Sequence, residues 1–283
     1  MHRIKNLLRM VALASLAVLL LIFNSAQAHS LFPYQQESYR NFRLENQRAI
    51  TVSASTEDIQ NAISKVNPSV VSIFGYKKIL QNEEQQTISF PFFNISLTIP
   101  AQETEEVDAG TGFFVDSRGY IVTSEHVVDD PNADYKIILQ DGTPQTATVL
   151  YKDAVNDIAI LKIPGENYAP ATLGDSSAVT KGEVVIATGN ALGSMRNIPA
   201  VGSVTGLHKS IQPSNTGDNQ QTINDLMQSN MQLYPGHSGG PTFDLSGTVV
   251  GINDAVAANQ KNVSFSVPIN AAKQAIANTI PGT

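Results

Sequence analysis

Gly236-His237-Ser238-Gly239-Gly240-Pro241 is the stretch on which the reading of this chain turns. A serine between glycines acts as a nucleophile only if a base lies within reach and backbone donors face the charge that develops on the attacked carbonyl. Glycine gives the backbone the freedom for a tight turn that aims successive N–H groups at one point. Pro235 restricts the approach to that turn. The plain alternative is a glycine-rich turn with no chemistry. The string also fits G-x-S-x-G, the elbow of α/β-hydrolases, whose triad runs Ser, acid, His. The five histidines stand at 2, 29, 126, 208 and 237, and none follows Ser238. An esterase of that fold would lack its base.

The base must come from upstream. His2 and His29 lie in or beside the N-terminal leader. His237 adjoins the serine, where neighbouring side chains diverge. His208 lies beside a polar stretch and reads as an exposed loop residue. His126 sits in Ile121-Val122-Thr123-Ser124-Glu125-His126-Val127-Val128, just after a strand pattern. Alone it would pass for a surface residue. Ahead of Asp157 and Ser238 it reads as catalytic. Asp157 opens the apolar run Ile158-Ala159-Ile160-Leu161, where a carboxylate is either a strand-edge cap or a shielded partner that orients a histidine. His126, Asp157 and Ser238 in this order follow the chymotrypsin-like arrangement. The histidines are scattered, with no H-E-x-x-H spacing, so no metal site and no cofactor is expected.

Around these residues the pattern is of short β-rich runs parted by turn signals. Runs at 70–74, 111–115, 120–123, 135–139, 158–163, 183–188, 201–207, 248–252 and 263–267 read as strands. Ser117-Arg118-Gly119, Asp141-Gly142 and Ser246-Gly247 read as turns. Many short strands argue for barrels or sandwiches. A helix is predicted over 56–66, with Ser55 and Asp58 approximating a capping box and Asn67-Pro68 stopping it. A second is predicted over 270–280. Residues 77–109 read as a long polar surface loop, with the acidic run 103–108 as a solvated face. The stretch 164–172 is the best joint between two halves.

The chain has 283 residues, a formal net charge of −7, a pI near 5.2 and no cysteine. Disulfides and thiolate chemistry are excluded. No basic patch lies beyond the first ten residues, so no nucleic-acid partner is expected. His2, Arg3, Lys5 and Arg9 precede an uncharged apolar run over 10–23, and Ala26-Gln27-Ala28 gives a small-x-small cleavage pattern. The run is short for a membrane span. Residues 1–28 are expected to be an export signal, with an uncleaved anchor as the alternative. The product would be periplasmic, envelope-bound or secreted. Residues 29–54 read as an extended arm.

Taken together, the chain resembles the HtrA/Deg branch of the chymotrypsin-like serine proteases over about residues 56–280. The resemblance rests on Gly110-Thr111-Gly112-Phe113, the His126 and Asp157 segments, Leu173-Gly174-Asp175-Ser176 and Gly189-Asn190-Ala191-Leu192-Gly193. It continues in the Ser238 segment, Gly251-Ile252-Asn253 and Phe265-Ser266-Val267-Pro268. It implies an all-β fold of two six-stranded antiparallel β-barrels with short N- and C-terminal helices. The protease domain would span 55–283, with one barrel over about 67–165 and the other over about 170–268. It also implies a serine endopeptidase acting on unfolded proteins or peptides, and an oxyanion hole of the Gly236, His237 and Ser238 N–H groups. The primary pocket would be shaped by Asn230, Leu233 and Tyr234, with an apolar preference. A homotrimer through the aromatic segment of Tyr34, Tyr39 and Phe42 is a further implication. The chain ends just after the closing helix, so no PDZ domain is expected. Three places depart from the family pattern. Ser124 stands where an Asn is usual, His237 precedes the nucleophile in place of Asn, and Ser229-Asn230-Met231-Gln232-Leu233-Tyr234-Pro235-Gly236 replaces T-D-A-x-I-N-P-G. Bulky Tyr234 and His237 raise the prospect of an oxyanion loop held inactive until a ligand binds. A non-cleaving protein-binding scaffold stays open as a second reading. An ordinary imidazole would set the acid limb of activity near pH 6.5.

Overall fold

Ser55 starts the first helix, α1 (Thr56–Val66), through the expected capping box. The Asp58 N–H donates to Ser55 Oγ at 3.1 Å and the Ser55 N–H donates to Asp58 Oδ2 at 3.2 Å. Pro68 ends α1 in a single 3₁₀ turn, Asn67–Ser69. The second helix, α2 (Ile269–Thr279), closes the described chain. A computed structural model describes residues 54–79, 86–90, 95–99, 103–189, 198–211, 222–256 and 262–282. The expected signal segment, the arm with Tyr34, Tyr39 and Phe42, and the motif residues 190–193 lie outside the described residues.

Between the helices the chain is almost entirely strand. The first sheet has the order β7-β6-β1-β4-β5-β9-β8. Its members are β1 (Val70–Ile79), β4 (Glu103–Asp116), β5 (Tyr120–Thr123), β6 (Asp134–Ile138), β7 (Pro144–Thr146), β8 (Thr148–Asp153) and β9 (Ile158–Lys162). The second has the order β10-β15-β14-β11-β12-β13-β16, and an added β15–β16 pairing closes it on itself. Its members are β10 (Thr172–Leu173), β11 (Val184–Gly189), β12 (Ile198–Ile211), β13 (Ile223–Ser229), β14 (Pro241–Phe243), β15 (Thr248–Val256) and β16 (Ser264–Pro268). This is the expected all-β fold of the chymotrypsin-like kind, but with seven strands in each sheet instead of six. The extra members are short: β7 has three residues and β10 two.

Within 77–109, expected to be a loop, the described residues are strands. β1 runs on to Ile79 and pairs with the acidic start of β4, Lys77 opposite Glu105 and Lys78 opposite Thr104. β2 (Gln86–Phe90) and β3 (Ile95–Ile99) form a separate hairpin. The alternation of Ile88 and Phe90 and of Ile95, Leu97 and Ile99 with polar residues is the strand signal that the polar flanks of this stretch hid. The stretch 164–172 does run from the first sheet to the second. Tyr168 stacks on Phe114 with ring centroids 4.5 Å apart, and Ala171 N–H donates to the Phe114 carbonyl.

The continuous apolar runs are strands buried on both faces. Along β9, Ile158 and Ile160 join one apolar cluster while Ala159 and Leu161 join another, as the two-residue period of a strand requires. Phe113 and Phe114 divide in the same way, as do Val122 and Ile121. The cluster inside the first sheet holds Ile73, Phe114 and Ile137, and that of the second holds Val185, Ala187 and Val250. The third and largest joins the two sheets. It takes Phe113 and Ile160 from the first, Phe243 and Ile252 from the second, and Val66 and Ile276 from the helices. Neither sheet can bury its outer apolar face without the other. Phe113→Ala is therefore expected to cost about 3–5 kcal/mol. Urea unfolding followed by tyrosine fluorescence and by far-ultraviolet circular dichroism should remain one coincident transition at a lower midpoint.

Candidate active site

Strand pairing gathers the site. Thr123, the last residue of β5, lies opposite Ala159 near the start of β9. His126 follows the end of β5 in a 3₁₀ turn, Glu125–Val128, and Asp157 precedes β9. Both therefore reach the same end of the first sheet. The His126 Nδ1 lies 2.8 Å from Asp157 Oδ2, and the His126 backbone N–H donates to Asp157 Oδ1 at 2.9 Å. Both carboxylate oxygens are thus spent on one residue. This fixes the ring and favours the tautomer with its proton on Nδ1. Asp157 is 4% exposed and adopts φ 51°, a left-handed conformation that aspartate tolerates better than most residues. The turn before β9 imposes it.

Ser238 comes from the second sheet. Its loop packs onto β4 of the first sheet: the Thr111 N–H donates to the Ser238 carbonyl at 2.9 Å, and Thr111 Oγ1 donates to the Gly236 carbonyl at 2.6 Å. Tyr234-Pro235-Gly236-His237 is a type II turn. The His237 N–H donates to the Tyr234 carbonyl at 3.0 Å, with proline second and Gly236 third at φ 96°. Among the described residues the N–H groups of Gly236 and Ser238 have no protein acceptor. The His237 N–H, expected beside them in the oxyanion hole, is committed to Tyr234 and is not available. Ser238 Oγ donates to the Asp254 carbonyl at 3.1 Å. Among the described residues it makes no hydrogen bond to His126.

The His237 ring is not poised over the site. It is 1% exposed, its Nε2 is 3.0 Å from the Ile198 carbonyl, and the Tyr234 N–H donates to its Nδ1 at 3.3 Å. Nε2–H donating and Nδ1 accepting satisfies a neutral imidazole. Burial pushes its pKa below the ordinary value, against the pull of these backbone contacts. Gly189 makes room for it: a Cβ there would lie 2.7 Å from His237 Cα. The bulky pair Tyr234 and His237 thus braces a type II turn. The expected pocket residues are placed apart. Leu233 is 8% exposed and belongs to the apolar cluster of the second sheet, and Asn230 Oδ1 accepts from Ser203 N–H at 2.6 Å. Tyr234 is half-buried, with its ring centroid 6.2 Å from that of His237.

Asp254, on β15, is the group that the sequence reading missed. It is 6% exposed, and one of its carboxylate oxygens, Oδ2, has no hydrogen-bond partner. Ligating atoms of His126, Asp157 and Asp254 all lie within 4.8 Å of one another. A signal was present: an aspartate inside the apolar run Val249-Val250-Gly251-Ile252-Asn253-Asp254-Ala255-Val256 has no ordinary role in a buried strand. Burial, and then the charge of Asp157, push the Asp254 carboxyl up to about 8. For His126 burial acts downward, but the hydrogen bond to Asp157 and the charges of Asp157, Asp254 and Glu125 outweigh it and raise the imidazole to about 9. Asp157, despite its burial, is held below the usual carboxylate range by the His126 contact. The acid limb expected near pH 6.5 is thereby displaced upward.

Residues 110–252 match the trypsin-like peptidase domain, and the chain belongs to that family. Its relatives are of the HtrA type. It is 32% identical over 225 residues to HhoA of Synechocystis sp., which is named as a serine protease, and the match covers 77% of this chain and 55% of HhoA. It is 35% identical over 175 residues to a Bartonella henselae protein named as a DegP-like periplasmic serine endoprotease, covering 60% of this chain and 33% of that one. The chain thus spans about half the length of HhoA and a third of the DegP-like protein. Among solved structures, the HtrA-type protease AlgW with a decapeptide superposes with a TM-score of 0.65 at 25% identity, over 79% of this chain and 67% of that one.

Gly239 is the tightest point of the site. At φ 81° it would place a Cβ 2.0 Å from Thr123 Oγ1 and 2.2 Å from the Thr111 carbonyl. Gly182 has a similar φ of 89° with nothing within 4 Å. Gly239→Ala is expected to lower the urea midpoint by the equivalent of about 3 kcal/mol or more, and Gly182→Ala by only about 1–2 kcal/mol. Equal losses would show that backbone strain, not the close approach, sets the requirement for glycine.

Proposed function

We propose that the chain is a serine endopeptidase that hydrolyses peptide bonds in unfolded exported proteins. The observation that carries this reading is that an imidazole fixed by Asp157 and the Ser238 hydroxyl both meet Asp254, the first at its side chain and the second at its carbonyl, while the N–H groups of Gly236 and Ser238 face no protein acceptor among the described residues. Ser238 Oγ turns from the Asp254 carbonyl toward His126 as substrate binds. His126 Nε2 takes the hydroxyl proton while Oγ bonds to the peptide carbonyl carbon, whose oxygen becomes the oxyanion. The Gly236 and Ser238 N–H groups stabilise that charge. His126 returns the proton to the leaving amine, and the acyl-enzyme forms. Water, deprotonated by His126, then attacks the acyl carbon, and His126 returns that proton to Ser238 Oγ as the bond to the acyl group breaks and the acid leaves. Asp157 stabilises the imidazolium throughout.

The relatives' names, which include a periplasmic endoprotease, and the peptide in the AlgW structure support export and an extended peptide substrate. The unlinked Ser238 and His126 side chains favour one second reading, a protease-like scaffold that binds without cutting. Cleavage of unfolded casein by the chain starting at His29, set beside Ser238→Ala, decides between them. Cleavage by the first and none by the second is expected, with a loss of at least about a thousandfold. If neither cleaves while both are folded, labelling of Ser238 by a fluorophosphonate separates a latent enzyme from a scaffold.

The pH dependence follows from the raised His126 value. The imidazole must be neutral to act, so kcat/KM should rise with pH, with its midpoint well above 6.5 and toward 9. A peptide assay from pH 5 to 10 measures it, and a midpoint at or below 6.5 would contradict the arrangement.

A further inference from the structure

Asp254 has no assigned task, and a buried carboxyl with a bare oxygen needs one. Two carboxylates this close and this buried cannot both keep their charge cheaply. One of them takes a proton. Asp157 already has both oxygens on His126 donors, so it is the one that gains from staying ionised. Asp254 Oδ2, which accepts from nothing, is the one free to carry the proton.

We propose that Asp254 is a positioning residue of this triad: it holds a proton that it donates to Asp157, so that His126 is oriented by a carboxylic acid–carboxylate pair. The proposal concerns the same site as the peptidase reading and rests on it for the kinetic part. The surroundings of Asp254 permit it. Its own strand β15 pairs with β10, β14 and β16, none of which bears a titratable side chain. From the first sheet it faces Asp157 and His126. Glu125, on the same turn as His126, is held 2.8 Å from Lys152 Nζ. Among the described residues no lysine or arginine faces Asp254 to stabilise its anion.

The shared proton has a second effect. A neutral Asp254 withdraws one of the negative charges that raise the His126 imidazole. Once Asp254 ionises, its charge favours the imidazolium, which cannot act as base. Proton loss from Asp254 and proton loss from His126 therefore compete, and only the form with Asp254 protonated and His126 neutral carries the full arrangement. The upward shift of the Asp254 carboxyl accords with this geometry. The active form has lost one of the two protons of the His126–Asp254 pair, so it is bounded below by the pair's first proton loss and above by its second.

The test uses Asp254→Asn, which keeps a donor of the same shape and cannot ionise, and Asp254→Leu, which has no donor. Carbon-13 NMR of aspartate-labelled chain reads the carboxyls directly. The wild type should show one carboxyl that titrates about four units above the ordinary aspartate value, near pH 8, and Asp254→Asn should lack it. In kcat/KM profiles from pH 5 to 10 the Asn variant should rise at lower pH than the wild type and should not fall on the alkaline side. Asp254→Leu should lose at least about tenfold in kcat relative to Asn, with KM changed less than about twofold, as expected for misorientation of a base. The proposal is overturned if every aspartate titrates below about pH 5, or if the Leu and Asn variants share one profile. The NMR titration needs no turnover, so it still decides the matter if casein is not cleaved and the peptidase reading fails.

Discussion

Asn253 is the peg on which the nucleophile loop hangs. Its carbonyl accepts from the Gly239 N–H at 2.8 Å and from Ser124 Oγ at 3.2 Å, and its own N–H donates to the Gly240 carbonyl at 2.8 Å. Its side chain donates to the His237 carbonyl at 3.3 Å and accepts from Thr242 Oγ1 at 2.5 Å. The residue is fully buried, where each of these groups would be costly to leave unpaired. One side chain and one peptide unit thus tie the loop before β14 to β15 and to the segment leading to His126. The position of Ser238 follows from that knot, and so does the position of Asp254, the next residue along.

Most of the architecture was legible in the sequence because its strands are short, apolar on both faces and separated by glycine turns. The capping box at Ser55 and the helix from 269 could be read from spacing alone. Strands such as β7, β13 and β14 could not: Pro144-Gln145-Thr146 and Ile223-Asn224-Asp225-Leu226 lack alternation or mix charges into it, and their pairing is dictated by neighbours in the sheet. The strands within 77–109 were misread because their polar and acidic flanks outweighed the short alternating runs 86–90 and 95–99. His126, Asp157 and Ser238 stood out because each sits at the end of a strongly patterned run. The roles of the residues beside them did not. Whether His237 offers its N–H to substrate or to Tyr234 depends on a turn type, and turn type is fixed by three-dimensional closure.

The electrostatics of the site come from crowding. One imidazole stands among Asp157, Asp254 and Glu125, and Lys152 draws off only the last of them. In such a cluster the charge of each member depends on the others. His237, on the Ser238 loop, is insulated: its ring nitrogens meet backbone groups and its charge is suppressed by burial. The pKa values of the two histidines are therefore shifted in opposite directions by their surroundings. His126 is drawn toward the cation, and His237 stays neutral as part of the scaffold.

The sharing of the largest apolar cluster between both sheets and both helices also sets an order of events during synthesis. His126 and Asp157 emerge from the ribosome well before Ser238. The strand that closes the second sheet, β16, and the helix that seals the joint, α2, come later still. Until Ile269, Ala272 and Ile276 are available, the cluster that includes Phe113 and Phe243 is incomplete, and the peg at Asn253 has no finished sheet to stand in. The three reacting groups can meet only when nearly all of the described chain has been made. In a nascent or truncated polypeptide His126, Asp157 and Ser238 are thereby kept apart.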